Sequence, residues 1–121
     1  MIFAKRVFTL SGIYGLAIMT PMLFLEPAMI AAGQPLSHPE SYYGFIGVTL
    51  TFQLIFLMIG RDPALYRAIM PICVVEKISF GTAVWPLFLM GRTPGVVTVF
   101  ATIDLLLGLL FFLAWRRTRP T

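Results

Sequence analysis

An all-α bundle of four membrane-spanning helices is the fold that this chain predicts. Three observations carry the expectation: an extreme apolar composition, four apolar runs of spanning length, and basic residues that sort to one end of those runs. Of 121 residues, 59% are hydrophobic and 12% charged, whereas soluble domains carry about 25% charged residues. The mean hydropathy is +0.91. The length suits one integral membrane domain over residues 1–121.

Crossing roughly 30 Å of hydrocarbon takes about 20 apolar residues in a helix. The four runs cover residues 6–25, 42–59, 64–90 and 96–115. In lipid each segment must satisfy its own backbone hydrogen bonds, so the runs read as helices. A barrel would need segments of about 10 residues alternating polar and apolar, and none occurs. The first run follows Lys5 and Arg6 as a signal peptide would. Its apolar stretch is longer than a signal core and no small-residue cleavage site follows, so it is expected to stay as a helix.

The second run is reached through "EPAMIAAGQPLSHPES", residues 26–41. Its apolar part either extends the first helix or lies along the interface. Ser37 followed by Glu40 ahead of an apolar run is a capping-box pattern that starts the second helix. Gly60 is placed to end that helix, and Asp62-Pro63 reads as a cap followed by proline at the first helical position. Gly91 and Thr93-Pro94 repeat the pattern before the fourth run. Two such short turns make the second, third and fourth helices antiparallel neighbours. Pro21, Pro71 and Pro86 fall inside predicted helices and invite kinks. Ser11, Gly12, Gly15, Gly44, Gly47, Ala101 and Gly108 are small residues of the kind that lets membrane helices approach closely.

The net charge of +4 does not form a nucleic-acid face. Lys5 and Arg6 precede the first helix, Arg61 and Arg67 flank the turn between the second and third, and Arg116, Arg117 and Arg119 follow the fourth. By the positive-inside rule both termini are cytoplasmic, and the expected location is a bacterial inner membrane. Tyr42, Tyr43, Trp85 and Phe88 form one aromatic belt, and Tyr66 and Trp115 the other. The single cysteine, Cys73, excludes an internal disulfide, a paired-cysteine redox centre and a thiolate zinc site; it reads as a small core residue.

The chemistry that remains lies at mid-depth. Glu76 and Lys77 sit in the middle of the third run and Asp104 in the middle of the fourth, with Gln53 and Tyr14 at comparable depth in the second and first. Each ionised group at a helix centre costs about 2.5–3.5 kcal/mol on insertion scales, so these must be paired, hydrated or neutral. Adjacent helical residues point about 100° apart and do not face one another. The economical arrangement pairs Lys77 with Asp104 and turns Glu76 toward Gln53, Tyr14 or a water-lined cavity; the exchanged assignment, with Glu76 toward the fourth helix, is also open.

A second set, Glu26, His38, Glu40 and Arg92, gathers at the face opposite the basic end. A histidine with two carboxylates has the chemistry of a metal or proton site, but loop and capping roles account for these residues more simply, and no metal is expected. Glycine-rich phosphate loops, paired metal-spaced histidines and nucleophile motifs are absent from the sequence. A bis-histidine haem is excluded by the one histidine, and no cofactor is expected.

The stretch from "SHPESYYGFIGVTLTFQLIFLMIGRDPALYRAIMP" through "VVEKISFG" to "IDLLLGLLFFLAW" resembles small uncharacterised bacterial four-helix membrane proteins. In architecture alone the chain is similar to DoxX-like and EXPERA-like proteins. The expected function is a midplane polar site, Glu76, Lys77 and Asp104 with Gln53 and Tyr14, that binds protons or a small hydrophobic or cationic ligand. The alternative is an accessory or structural subunit of a larger membrane complex, or of a self-assembly, whose polar layer serves only helix packing. Beyond the lipid bilayer, the expected partners are such a hydrophobic small molecule or such subunits.

Overall fold

The computed structural model describes residues 2–119 and contains no strand among them; Met1, Pro120 and Thr121, the ends of the expected domain, lie outside the described residues. The helices are α1 (Ile2–Met19), α2 (Glu26–Ala31), α3 (Pro39–Arg61), α4 (Met70–Leu89) and α5 (Gly95–Arg117), with 3-10 segments at Thr20–Phe24 and Arg67–Ile69. Counting those 3-10 turns, four stretches of 23 residues are long and apolar enough to cross a membrane. At 1.5 Å per residue each is about 34 Å long, enough for a hydrocarbon core of roughly 30 Å.

Prolines set several ends differently from the sequence reading. Pro21 lies at the head of the 3-10 segment that finishes the first span, so it ends the α-helix. Pro71 stands in the first turn of α4, where its missing N–H would be unpaired anyway. Pro86 is inside α4 as expected. The Ser37–Glu40 capping box does not form: α3 begins at Pro39 behind His38, which has φ −133° and ψ 74° and offers no side-chain cap. A residue before proline is driven out of helical geometry, so His38 cannot be the first helical residue that a Ser37 cap requires. Pro94, with ψ 152°, takes the cap position of α5 and Thr93 Oγ1 is left buried without a partner among the described residues.

The turns are otherwise well explained. Gly33 and Gly91 have φ of 76° and 73°, and Gln34 and Arg92 N–H donate to the carbonyls of Met29 and Leu87 at 2.9 and 2.8 Å. These are Schellman endings of α2 and α4 that need the left-handed conformation glycine supplies. The apolar part of the 26–41 connection is thus not an extension of α1; it forms the separate short helix α2. Asp62 Oδ1 accepts the Leu65 N–H at 3.2 Å, but the residues it caps form a turn, and α4 starts only at Met70.

That delay changes the packing. α1 packs along α3 and α4 along α5, and the α1–α5 contact joins the two pairs, whereas α3 and α4 scarcely meet. The expectation that the second and third long helices are neighbours holds only through side chains such as Phe45 and Phe80: a turn at residues 62–66 and the 3-10 segment Arg67–Ile69 connect them, yet each packs closely along another partner. Gly60 does not end α3 but lies within it, where Thr9 of α1 leaves no room for a Cβ; Gly15 is closed the same way by Gln53, and Gly81 by Leu105. A Cβ on Gly12 would lie 2.8 Å from Leu57, and one on Gly108 2.9 Å from Ile78. Close approach of this kind replaces the hydrophobic driving force that lipid cannot supply. Gly44 and Gly47 do not take part, since nothing among the described residues lies within 4 Å of where their Cβ atoms would be.

The basic end is held together by contacts between elements. Arg67 Nε donates to the Thr118 carbonyl at 2.6 Å, its guanidinium lies 5.0 Å from the Trp115 ring, and that of Arg117 lies 4.4 Å from the Phe3 ring. Just inside, Ala4, Phe8, Phe56, Ile59, Met70, Cys73, Phe111 and Ala114 form the buried core. Phe8 and Phe111 stack at 4.2 Å between centroids, and Phe56 meets Phe111 edge-on at 4.9 Å. Toward the opposite end this filling stops.

Candidate functional site

Beyond the aromatic core the four long helices enclose a partly open cavity of about 270 Å³. Its walls are Ile18, Met19 and Met22 of the first span, Phe45 and Thr49 of α3, Phe80 of α4, and Val96, Val97 and Phe100 of α5. Where it meets the core, each long helix contributes one polar side chain: Tyr14, Gln53, Lys77 and Asp104.

Lys77 lies ten residues from Arg67 and twelve from Leu89, about 15 and 18 Å from the two ends of its span. Its stem cannot bring the ammonium to either surface, and the side chain is 3% exposed. Nζ therefore finds its counter-charge inside: Asp104 Oδ1 is 3.5 Å away, and the Phe56 ring centroid is 5.1 Å away. Gly108 of α5 faces Lys77 Cβ, so the absence of a side chain at 108 helps α5 come close enough for Asp104 to reach across. Breaking a buried pair leaves an uncompensated charge, which is the costly outcome.

Gln53 is fully buried. Its Nε2 donates to the Thr49 carbonyl one turn back at 2.9 Å. Oε1 presses on Gly15 and has no hydrogen-bond partner among the described residues. Tyr14 is half-buried and faces both this cavity and a shallow outer groove between α1 and α5.

Glu76 departs from the sequence reading. It does not line the cavity with the other four, and its Oε2 is buried without a partner among the described residues. It reaches neither Gln53 nor Tyr14. The exchanged assignment fails too, because the ion pair to α5 belongs to Lys77.

The outer set does not converge. Glu26 Oε1 accepts the Tyr43 hydroxyl at 2.7 Å, beside the Tyr42 hydroxyl that donates to the Met22 carbonyl at 2.7 Å. His38 Nδ1 and Glu40 Oε1 are 3.5 Å apart but about three-quarters exposed, where such pairs contribute little. Arg92 is exposed. No three metal-ligating side chains gather among the described residues.

The cavity walls are what the polar residues alone did not reveal. Their signal was present as helical spacing: Phe45 and Thr49 precede Gln53 by two turns and one, Phe100 precedes Asp104 by one, and Ile18 and Met22 follow Tyr14 in the same way. What could not be read was that this shared face is hollow.

Fold and composition together define a class, an integral membrane protein of four long apolar helices. Comparison with known proteins does not narrow it: no protein family, curated protein or solved structure matches the chain.

Proposed function

We propose that this protein binds a small hydrophobic molecule within the bilayer, in the cavity that ends on Lys77 and Asp104. One observation carries the reading: the walls are apolar while a few polar groups converge at one end, the usual constitution of a small-molecule site. A cavity with such walls favours an apolar occupant over water. The basic residues at one end support an orientation with both termini and the aromatic core on the cytoplasmic side and the cavity in the outer half.

Native mass spectrometry from mild detergent tests this. The wild-type protein is expected to retain a bound hydrophobic molecule, and Val97→Trp, which fills the cavity, is expected to keep its helicity and lose that mass. A wild type that carries nothing even after incubation with a total lipid extract sinks the proposal.

Glu76 supports a second reading, the accessory subunit. Its Oε2 is buried without a partner among the described residues and off the cavity, while the side chain as a whole is only half-buried, and a neighbouring membrane chain would meet it at that exposed part. Stoichiometric copurification of such a chain, lost in Glu76→Leu, would favour that reading.

A further inference from the structure

The polar end of the cavity is specific about charge. Lys77 and Asp104 are paired at 3.5 Å, so the two formal charges that the cavity presents cancel. An incoming ammonium would meet Lys77 without a free carboxylate to balance it. An incoming carboxylate or phosphate would meet Asp104 with the only ammonium already engaged. Either ion would sit in a hydrocarbon-walled space without its own counter-charge, the expensive case in a membrane.

Hydrogen-bonding capacity is nevertheless left over. An ammonium has three N–H donors, and Lys77 Nζ directs them at one carboxylate oxygen and one aromatic face. Gln53 Oε1 is closed off against Gly15, but the Asp104 carboxylate, 22% exposed at the cavity, accepts at two oxygens, of which Oδ1 is the one paired with Lys77. A hydroxyl is the smallest uncharged group that accepts from one neighbour and donates to another, whereas a ketone only accepts. The volume of about 270 Å³ equals the liquid volume of about nine water molecules. That holds a head and part of a tail, not a whole lipid.

The route follows from the packing. α3 and α4 are the one adjacent pair of long helices whose backbones scarcely meet. Along the cavity their seam is bridged by Phe45 and Phe80, with centroids 5.9 Å apart. Phe45 lines the cavity and is 48% exposed. At this seam the wall is therefore a pair of rings with little backbone contact behind them.

From these observations, and resting on the ligand-binding reading above, we infer that the cavity selects an uncharged amphiphile with a single hydroxyl head, of the class of a long-chain alcohol, drawn sideways from the bilayer between α3 and α4.

The test uses the full chain in lipid nanodiscs with three photoactivatable probes that share one diazirine-bearing alkyl tail and end in a hydroxyl, an amine or a carboxylate. The alcohol is expected to crosslink to cavity residues such as Val97 and Phe100, and the two charged probes at least about tenfold less, the factor that corresponds to 1.4 kcal/mol of uncompensated charge. Asp104→Asn, which frees Lys77, is expected to move the preference to the carboxylate, and Lys77→Met, which frees Asp104, to the amine. Phe45→Ala is expected to speed exchange of the bound alcohol with the bilayer. Equal or stronger labelling by a charged probe in the wild-type protein overturns the assigned head group while leaving the site standing. No cavity labelling by any probe overturns the site itself. Exchange unchanged in Phe45→Ala overturns the lateral route.

Discussion

The two halves of the bundle are built by the same four helices and are similarly apolar, yet one is solid and the other hollow. In the half near the basic end, Phe8, Phe56 and Phe111 point inward and are fully buried. In the other half, Phe45, Phe80 and Phe100 line a void, and Phe45 and Phe100 are 48% and 39% exposed. The hollow does not come from a shortage of bulky side chains. It comes from aromatic rings set at the rim instead of on the axis. Packing in lipid rests on dispersion and close fit, and atoms lining a void forfeit part of that attraction. The solid half, with the glycine contacts between paired helices that continue to Gly15 and Gly81 on the cavity side, must therefore hold the hollow half open.

The largest effect is expected where that division of labour is concentrated. Phe111 contacts Phe8 and Phe56 at once, and Phe111→Ala removes the ring that both pack against. The expected loss is about 3 kcal/mol, in the range for large-to-small core substitutions, read by reversible unfolding in mixed micelles. A loss below about 1 kcal/mol would mean that the aromatic cluster does not hold the bundle together, and the contrast between the halves would lose its mechanical meaning.

The boundary between the halves comes next. Asp104→Asn leaves the Lys77 cation without its counter-ion at mid-span, an expected cost of about 2–3 kcal/mol. Replacing Lys77 by Met as well removes the stranded charge, and most of the loss should return. A double-mutant cycle measures the coupling. Independent, additive losses would show that the two side chains do not act as a unit.

The sequence disclosed depth well and direction poorly. Depth follows from a fixed rise per residue, so the mid-span positions of Tyr14, Gln53, Lys77 and Asp104 could be counted, and so could the reach from Lys77 to the fourth long helix. Direction depends on how closely neighbouring helices pack and how each is rotated about its axis, and short connections declare neither. α3 and α4 are joined through the turn at 62–66 and yet scarcely meet along their backbones, and Glu76 lies off the cavity although the adjacent Lys77 lines it. Helix ends were misread where a proline overruled a cap. Ser37 and Glu40 have the right spacing for a capping box, but Pro39 bars His38 from helical geometry. The hollow was illegible for a simpler reason: phenylalanines at the rim and on the axis have the same composition and nearly the same spacing.

The smallest effect on stability is expected at that rim. Phe45 bridges to Phe80 at 5.9 Å, but about half of its surface is already exposed, so removing it gives up chiefly one aromatic contact of about 1 kcal/mol. Phe45→Ala should therefore unfold within about 1 kcal/mol of wild type in the same mixed micelles in which Phe111→Ala loses about 3 kcal/mol. The pair of variants removes the same ring from the same bundle and differs only in where that ring stands. Equal losses would make the seam a structural contact as important as the core. Unequal losses would mean that the α3–α4 wall can open without unfolding the bundle, because the helices it joins are held by their other partners, α3 by α1 and α4 by α5.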